Sequence, residues 1–416
     1  MLKYIRRHQR EREKLQRAYS KAQRGRRLGL YLHIPFCRSK CAYCDFYSLA
    51  GREGEMDRYL RALTRHLGEM APRAEGYRVD TVYLGGGTPS ILGAKRLTRL
   101  LREVRRRYRL ERGCEVTVEA NPDSVDLPLL RALRRAGANR LSLGVQSAND
   151  GELRAIGRPH TFSNAVRAVE LARRAGFDNL SCDLIYGLPD QDMASWQASV
   201  EALIALAPEH LSCYGLQLEE GTPLYERRSE LTLADDDEQA DMYLWMVDRL
   251  ARAGYRQYEI SNFAKPGRES RHNLRYWRLE EYAGFGPGAH SDFGGRRYSY
   301  VRDLGAYLEG IEQGKPIVDE DREIPNDERG SEYLMLGLRT AEGIDGDWYG
   351  RRYHRNFRPL EDLLRGYEAR GLARQEGGRW RLTPEGFLLS NPLILELLEA
   401  QEHHTVESLL AMGREE

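Results

Sequence analysis

Three cysteines stand within eight residues, as Cys37-x3-Cys41-x2-Cys44. Thiolates are soft donors that suit zinc or iron–sulfur clusters. Three of them can wrap one face of a [4Fe–4S] cubane and leave its fourth iron open. An open coordination position lets a small molecule bind, as it does in catalytic zinc sites. The alternative is a zinc site with His33 as fourth ligand, although the paired knuckle spacing of such sites is missing. The other three cysteines, Cys114, Cys182 and Cys213, fall on or beside predicted strands. They read as buried, inert thiols.

A loop of this kind needs a scaffold, and the chain predicts one. Apolar, β-branched runs recur at residues 30–34, 79–84, 115–119, 140–145, 180–185 and 211–216. Segments of helical period lie between them, at 56–70, 97–108, 129–136, 163–175 and 194–205. Six successive βα units imply a parallel sheet, because each return to a parallel strand needs a crossover. The class is α/β; periodicity leaves open whether the sheet is an open one or a barrel short of eight units. In such architectures ligands bind beyond the carboxyl ends of the strands. Those ends carry the cysteines, Gly85-Gly86-Gly87-Thr88-Pro89, Glu119-Ala120-Asn121-Pro122, Gly144-Val145-Gln146-Ser147, Asp183 with Tyr186-Gly187-Leu188-Pro189, and Gln217-Leu218-Glu219. All six are polar or glycine-rich, so all six are candidates to face one site.

The rhythm stops near residue 234. A long helix is expected at 235–253, then an aromatic, Gly-rich stretch. The last third reads as helices around a hairpin, with Gly377-Gly378 turning between 372–375 and 380–382. This suggests a winged-helix-like module used for packing rather than for DNA. The expected division is a basic arm at 1–27, a core at 28–254, a connecting segment at 255–323 and a C-terminal domain at 324–416.

Composition narrows the class. The chain has 416 residues, 64 Lys+Arg and 63 Asp+Glu. Residues 1–28 hold eleven basic and two acidic residues, a net of +9, which leaves −8 for the rest of the +1 total. The arm reads as a solvated face or as a peripheral contact to an anionic surface such as a membrane. No aromatic interleaving or RNA-binding motif points to nucleic acid. Six cysteines exclude a disulfide scaffold, and no apolar run of spanning length is present. A cytoplasmic protein with reduced thiols is expected.

Cys37-x3-Cys41-x2-Cys44 with Tyr43 before the last cysteine resembles the signature of the radical SAM superfamily. The resemblance implies a [4Fe–4S] cluster whose open iron is chelated by S-adenosylmethionine, which reduction cleaves to a 5′-deoxyadenosyl radical. It also implies a partial (β/α)6 TIM-like barrel with a smaller C-terminal α+β domain. Tyr31-Leu32-His33-Ile34-Pro35-Phe36-Cys37, Cys44-Asp45-Phe46, Leu143-Gly144-Val145-Gln146-Ser147 and Asp183-Leu184-Ile185-Tyr186-Gly187-Leu188-Pro189 are similar to the oxygen-independent coproporphyrinogen III oxidase family. That likeness implies a cofactor pocket lined by Tyr31, Tyr43, Gly86, Gly87, Thr88, Glu119, Gln146, Arg158 and Asp183. His272-Asn273-Leu274-Arg275-Tyr276-Trp277 resembles the mark of a haem-chaperone subgroup within that family. This implies haem as ligand, haem-accepting proteins as partners and His272 as axial ligand, with His290 a weaker candidate. The oxidases continue Cys-x-Cys, whereas Phe46 stands here. Radical oxidative decarboxylation of coproporphyrinogen III is therefore the alternative function.

Overall fold

The computed structural model describes residues 25–412, with side chains through Glu402. The basic arm lies outside the described residues except at its end, where Arg26 pairs with Glu281 at 2.7 Å. The βα alternation is present. The six strands are β1 (Arg27–Ile34), β2 (Arg78–Gly86), β3 (Leu110–Ala120), β4 (Arg140–Gln146), β5 (Leu180–Tyr186) and β6 (His210–Gly215). The main helices between them are α1 (Met56–Met70), α2 (Gly93–Arg107), α3 (Leu127–Ala136), α4 (Phe162–Arg174) and α5 (Met193–Ala205), followed by α6 (Asp236–Arg252). The apolar stripes that announced these helices are their buried faces. In α2, Leu97, Leu100, Leu101 and Val104 are inside while the Arg side chains line the opposite face. Asp126 and Asp192 cap α3 and α5 by accepting the backbone N–H groups of Leu129 and Ser195.

The chain divides into two compact units. The first comprises Met1–Gly144, Ser163–Leu180 and Glu280–Arg322. In it β1 pairs in parallel with β2, β2 with β3, and β3 with β4. Leu28, Leu30, Leu32 and Ile34 of β1 are all fully buried. Spaced by two, these side chains share one packed face of the strand, and Tyr31 and His33 alternate onto the other. On its other side β1 pairs in parallel with β7 (Tyr282–Phe285), Tyr31 standing opposite Gly284. The antiparallel strands β8 (His290–Phe293) and β9 (Arg296–Tyr300) follow. These strands were not foreseen. The Gly-rich stretch lacks both period and length, and it is strand only because β1 offers a partner edge.

The second unit comprises Val145–Phe162, Ser181–Leu279 and Glu323–Glu416. Here β5 pairs in parallel with β6, and Asn262–Ala264 adds antiparallel to β6. Its last third contains the expected hairpin, Ala373–Glu376 with Arg379–Leu382, joined by Ile344–Asp345 as a third strand. Trp380 of the hairpin is buried, as are Leu360, Leu364 and Tyr367 of the preceding helix. This is the α+β, winged-helix-like composition expected.

The first unit holds a buried aromatic cluster that reports on pH. His66 of α1 is 2% exposed and lies edge-on to Phe285 and Tyr300. Its Nδ1 bonds to the Tyr307 hydroxyl at 2.9 Å. Burial pushes its pKa down to about 3. A neutral buried histidine must be charged on unfolding in acid, because only the unfolded chain takes up that proton between pH 6.5 and the folded value. Stability is therefore whole above pH 6.5 and is lost as pH falls toward 3. At roughly 1.4 kcal/mol per pKa unit the window spans on the order of 3–5 kcal/mol. Urea titrations of His66→Phe at a series of pH values are expected to show a flatter acid limb than wild type.

Candidate functional site

In the first unit, β1 runs into Phe36–Cys37, which pairs with Leu49–Ala50 and closes the base of the cysteine loop. The Leu49 N–H donates to the Pro35 carbonyl at 2.6 Å. Inside the loop the Cys44 N–H bonds the Cys41 carbonyl at 3.2 Å. Cys41 is buried, Cys37 and Cys44 are half-buried, and none of the three is in a disulfide. Burial pushes the Cys44 thiol up, and its neighbours Cys41 and Cys37 push it further. Cys44 therefore keeps its proton until a cationic centre replaces it, as a cluster or metal ligand does. Among the described residues, no group of three or more His, Cys, Asp and Glu side chains is set to hold a single metal ion. Cubane ligands bind separate irons and need not converge on one point.

His33 is not a fourth ligand, which corrects the zinc alternative. Its Nε2 bonds the Tyr47 carbonyl at 2.9 Å and its Nδ1 bonds the Tyr31 hydroxyl at 3.0 Å. Nε2 therefore carries the proton and Nδ1 accepts from the phenol. Burial holds the ring neutral, with a pKa lowered to about 4. His33 thus ties the return of the cysteine loop to β1.

The glycine run after β2 is locked against the same loop. The Gly87 N–H donates to the Ile34 carbonyl at 2.8 Å, and the Thr88 N–H to the Phe36 carbonyl at 2.7 Å. A Cβ on Gly87 would lie 2.6 Å from the Phe36 oxygen and 3.0 Å from the Cys37 sulfur. Gly86 has φ +110°, and a Cβ there would meet the His33 ring at 2.6 Å. Thr88 Oγ1 lies 3.4 Å from the Cys37 sulfur and receives the Asn121 side-chain amide at 3.3 Å. Glu119 at the end of β3 accepts from the Tyr83 hydroxyl at 2.6 Å and from the Gly86 N–H at 3.2 Å. Tyr31 stands opposite Tyr83 in register, its phenol held protonated by burial and then by the Glu119 charge. Tyr43 sits in the turn between Cys41 and Cys44, half-buried.

Tyr31, Gly86, Gly87, Thr88 and Glu119 are thus gathered beside the cysteine loop. The remaining sequence-derived residues belong to the second unit. Gln146 ends β4 at φ +71°, a left-handed backbone that costs about 1–3 kcal/mol in a non-glycine residue. It is 9% exposed and its side-chain oxygen has no hydrogen-bond partner. Strain and an unpartnered buried acceptor thus coincide at this strand end. Arg158 is buried in the turn Gly157-Arg158-Pro159-His160, which His160 ties back to the Val145 carbonyl at 3.0 Å. Asp183 is half-buried on β5, opposite Ser212, where its charge adds to the burial that raises the Cys213 thiol. His272 lies in the short helix Arg271–Trp277, capped by Ser270, and is 1% exposed. Its Nε2 meets the Tyr276 hydroxyl at 2.9 Å. His290 is exposed at the start of β8, in the first unit.

Two positioning groups escaped the sequence reading. Glu152, 4% exposed, accepts from Ser147 at 2.5 Å, from Gln191 at 2.9 Å and from Ser195. It fixes the backbone just after Gln146. Arg302 donates to the Asp45 carbonyl at 3.2 Å, across 257 positions of chain. Neither lies in a motif; the Asn149 and Asp192 caps flanking the Glu152 contacts were the available signal.

Comparison with known proteins agrees with this geometry. Residues 31–203 match the family model of the radical SAM superfamily, and residues 324–389 match the HemN C-terminal domain. The heme chaperone HemW of Bacillus subtilis is 37% identical over 366 residues, covering 87% of this chain and 96% of that protein. The heme chaperone HemW of Escherichia coli is 36% identical, covering 90% and 98%. Among solved structures, the coproporphyrinogen III oxidase HemN of Escherichia coli, a radical SAM enzyme, superposes with a TM-score of 0.79. It is 24% identical, with 92% of each chain covered, a likeness of fold.

Gly87→Ala is expected to displace the cysteine loop, because its Cβ meets a backbone oxygen that cannot swing away. Anaerobic reconstitution followed by iron and sulfide analysis should show loss of most of the cluster. Wild-type loading in Gly87→Ala would refute the lock.

Proposed function

The chain belongs to the HemW family of radical SAM proteins, and from this we propose that it is a haem chaperone: it binds haem and passes it to haem-accepting proteins. The observation that carries this reading is near full-length similarity to proteins named heme chaperone HemW, against a likeness of fold alone to the oxidase. Phe46, where the oxidases continue with a cysteine, supports the same choice.

Superfamily membership implies a [4Fe–4S] cluster and S-adenosylmethionine. We assign the cluster to Cys37, Cys41 and Cys44, a soft thiolate donor set within eight residues. The cluster supplies one-electron chemistry when bound. The residues around it bind and orient. Gly86 and Gly87 bring main chain close to the cofactor, and Thr88, Tyr31 and Tyr43 line the approach. Glu119 is a carboxylate oriented by Tyr83 and Gly86, an acceptor of the kind that meets a hydroxyl or ammonium. In the second unit, Gln146 offers its open amide oxygen, Arg158 a guanidinium suited to a carboxylate, and Asp183 a second acceptor.

Haem is the cargo. His272 is assigned as axial ligand, and neutral imidazole is an ordinary partner for haem iron. Its Nε2 is engaged by Tyr276, so ligation requires that this bond open. No described helix is long and apolar enough to cross a membrane. The basic arm is assigned to a peripheral anionic contact.

Anaerobically reconstituted protein is expected to show brown charge-transfer absorbance and an EPR signal that S-adenosylmethionine alters. Cys37→Ala should lose both. Hemin should give a Soret shift, changed in shape by His272→Ala. Turnover of coproporphyrinogen III under strict anaerobiosis would instead support the oxidase alternative.

A further inference from the structure

Among the described residues most aromatic side chains are buried or half-buried, whereas Phe46 is 65% exposed, the highest value among the large exposed hydrophobics described. It is not on a loose tip. The residue before it is held by Arg302, whose guanidinium donates to the Asp45 carbonyl. The residue after it is held four ways. The Tyr47 carbonyl accepts from His33, and its ring stacks at 6.0 Å on the His33 ring. Its hydroxyl bonds the Leu304 backbone, and Arg302 lies over its ring at 5.8 Å. Main chain on both sides of Phe46 is thus anchored while an apolar ring stands in water, two positions from Cys44. Exposing that ring costs hydration free energy that a bare loop residue would avoid by turning inward.

The flanking charges say what would cover it. Arg302 is exposed, and its described contacts are a carbonyl and a ring, not a carboxylate. Lys40 is exposed and close enough for its charge to act on Cys44. Asp303 is engaged in capping the helix Leu304–Gln313, and Asp45 is the acid beside the ring. A flat apolar ligand bearing carboxylates fits a fixed aromatic face with one cation, Arg302, anchored beside it and a second, Lys40, exposed on the same cysteine loop.

We propose that Phe46 is the platform on which the plane of the haem porphyrin rests, with Arg302 and Lys40 receiving its propionates. This rests on the reading of haem as cargo, independently of the His272 assignment, and gives that ligand a contact within the first unit. The oxidase-type cysteine is replaced here by a side chain that binds the cargo, so the departure from that pattern has a use of its own.

The test is hemin titration of the reconstituted full-length protein, followed at the Soret band. Phe46→Ala should weaken hemin binding by about tenfold, the size of one aromatic contact, with iron and sulfide content unchanged. Phe46→Trp should retain affinity, and its added emission should be quenched by hemin beyond the wild-type quench. The propionate contacts predict weaker binding of the porphyrin dimethyl ester than of hemin, with a smaller difference in Lys40→Ala. Wild-type affinity in Phe46→Ala, or no added quench in Phe46→Trp, overturns the platform while leaving the chaperone reading intact. Equal affinity for the dimethyl ester overturns the propionate contacts. Failure of wild-type protein to bind hemin overturns the haem reading and the platform with it.

Discussion

The constraint on which the site depends is a main-chain lock between two loops. Gly87 and Thr88 donate their N–H groups to the carbonyls of Ile34 and Phe36. These bonds hold the turn after β2 against the segment that opens the cysteine loop. They are possible because Gly87 carries no side chain; a Cβ there would overlap both the Phe36 oxygen and the Cys37 sulfur. Close approach of backbone to backbone is what glycine permits and every other residue forbids. The position of Cys37 is thus set by β2 as much as by β1.

A second contact of the same kind holds β1 from its other side. Gly286, just after β7, has φ +107°, and a Cβ there would lie 2.8 Å from the His33 carbonyl oxygen. That oxygen accepts the hydroxyl of Tyr59, from α1. His33 is therefore gripped by its carbonyl and by both ring nitrogens at once. Burial keeps the imidazole uncharged, so the network does not compete electrostatically with the thiols beside it.

The second unit prepares its residues differently. Glu152 gathers Ser147, Gln191 and Ser195 into one buried network, and in doing so supports a left-handed Gln146 whose amide oxygen stays open. Strain and an unmet acceptor are maintained together because the surrounding hydrogen bonds over-determine the turn. His272 is the opposite case, its ring nitrogen closed onto Tyr276. One residue is set open and the other closed.

What the sequence determined was local. Each of the six strands and α1 were legible, the latter to its bounds at Met56–Met70, because burial of one face or both imposes a period that survives in any single segment. The cysteine spacing and the glycine run were legible for the same reason: their chemistry is complete within eight residues. Tertiary structure decided what depends on distant partners. The stretch Tyr282–Phe285 became a strand because β1 exposed an edge in parallel register. Arg302 became a loop anchor because the fold carried it to Asp45 across 257 positions. His33 looked like a ligand by type and proved to be a brace, since only the packed site shows which atoms each ring nitrogen meets. Hydrogen bonds between residues far apart in sequence leave no period to read, because their geometry exists only once the core has closed.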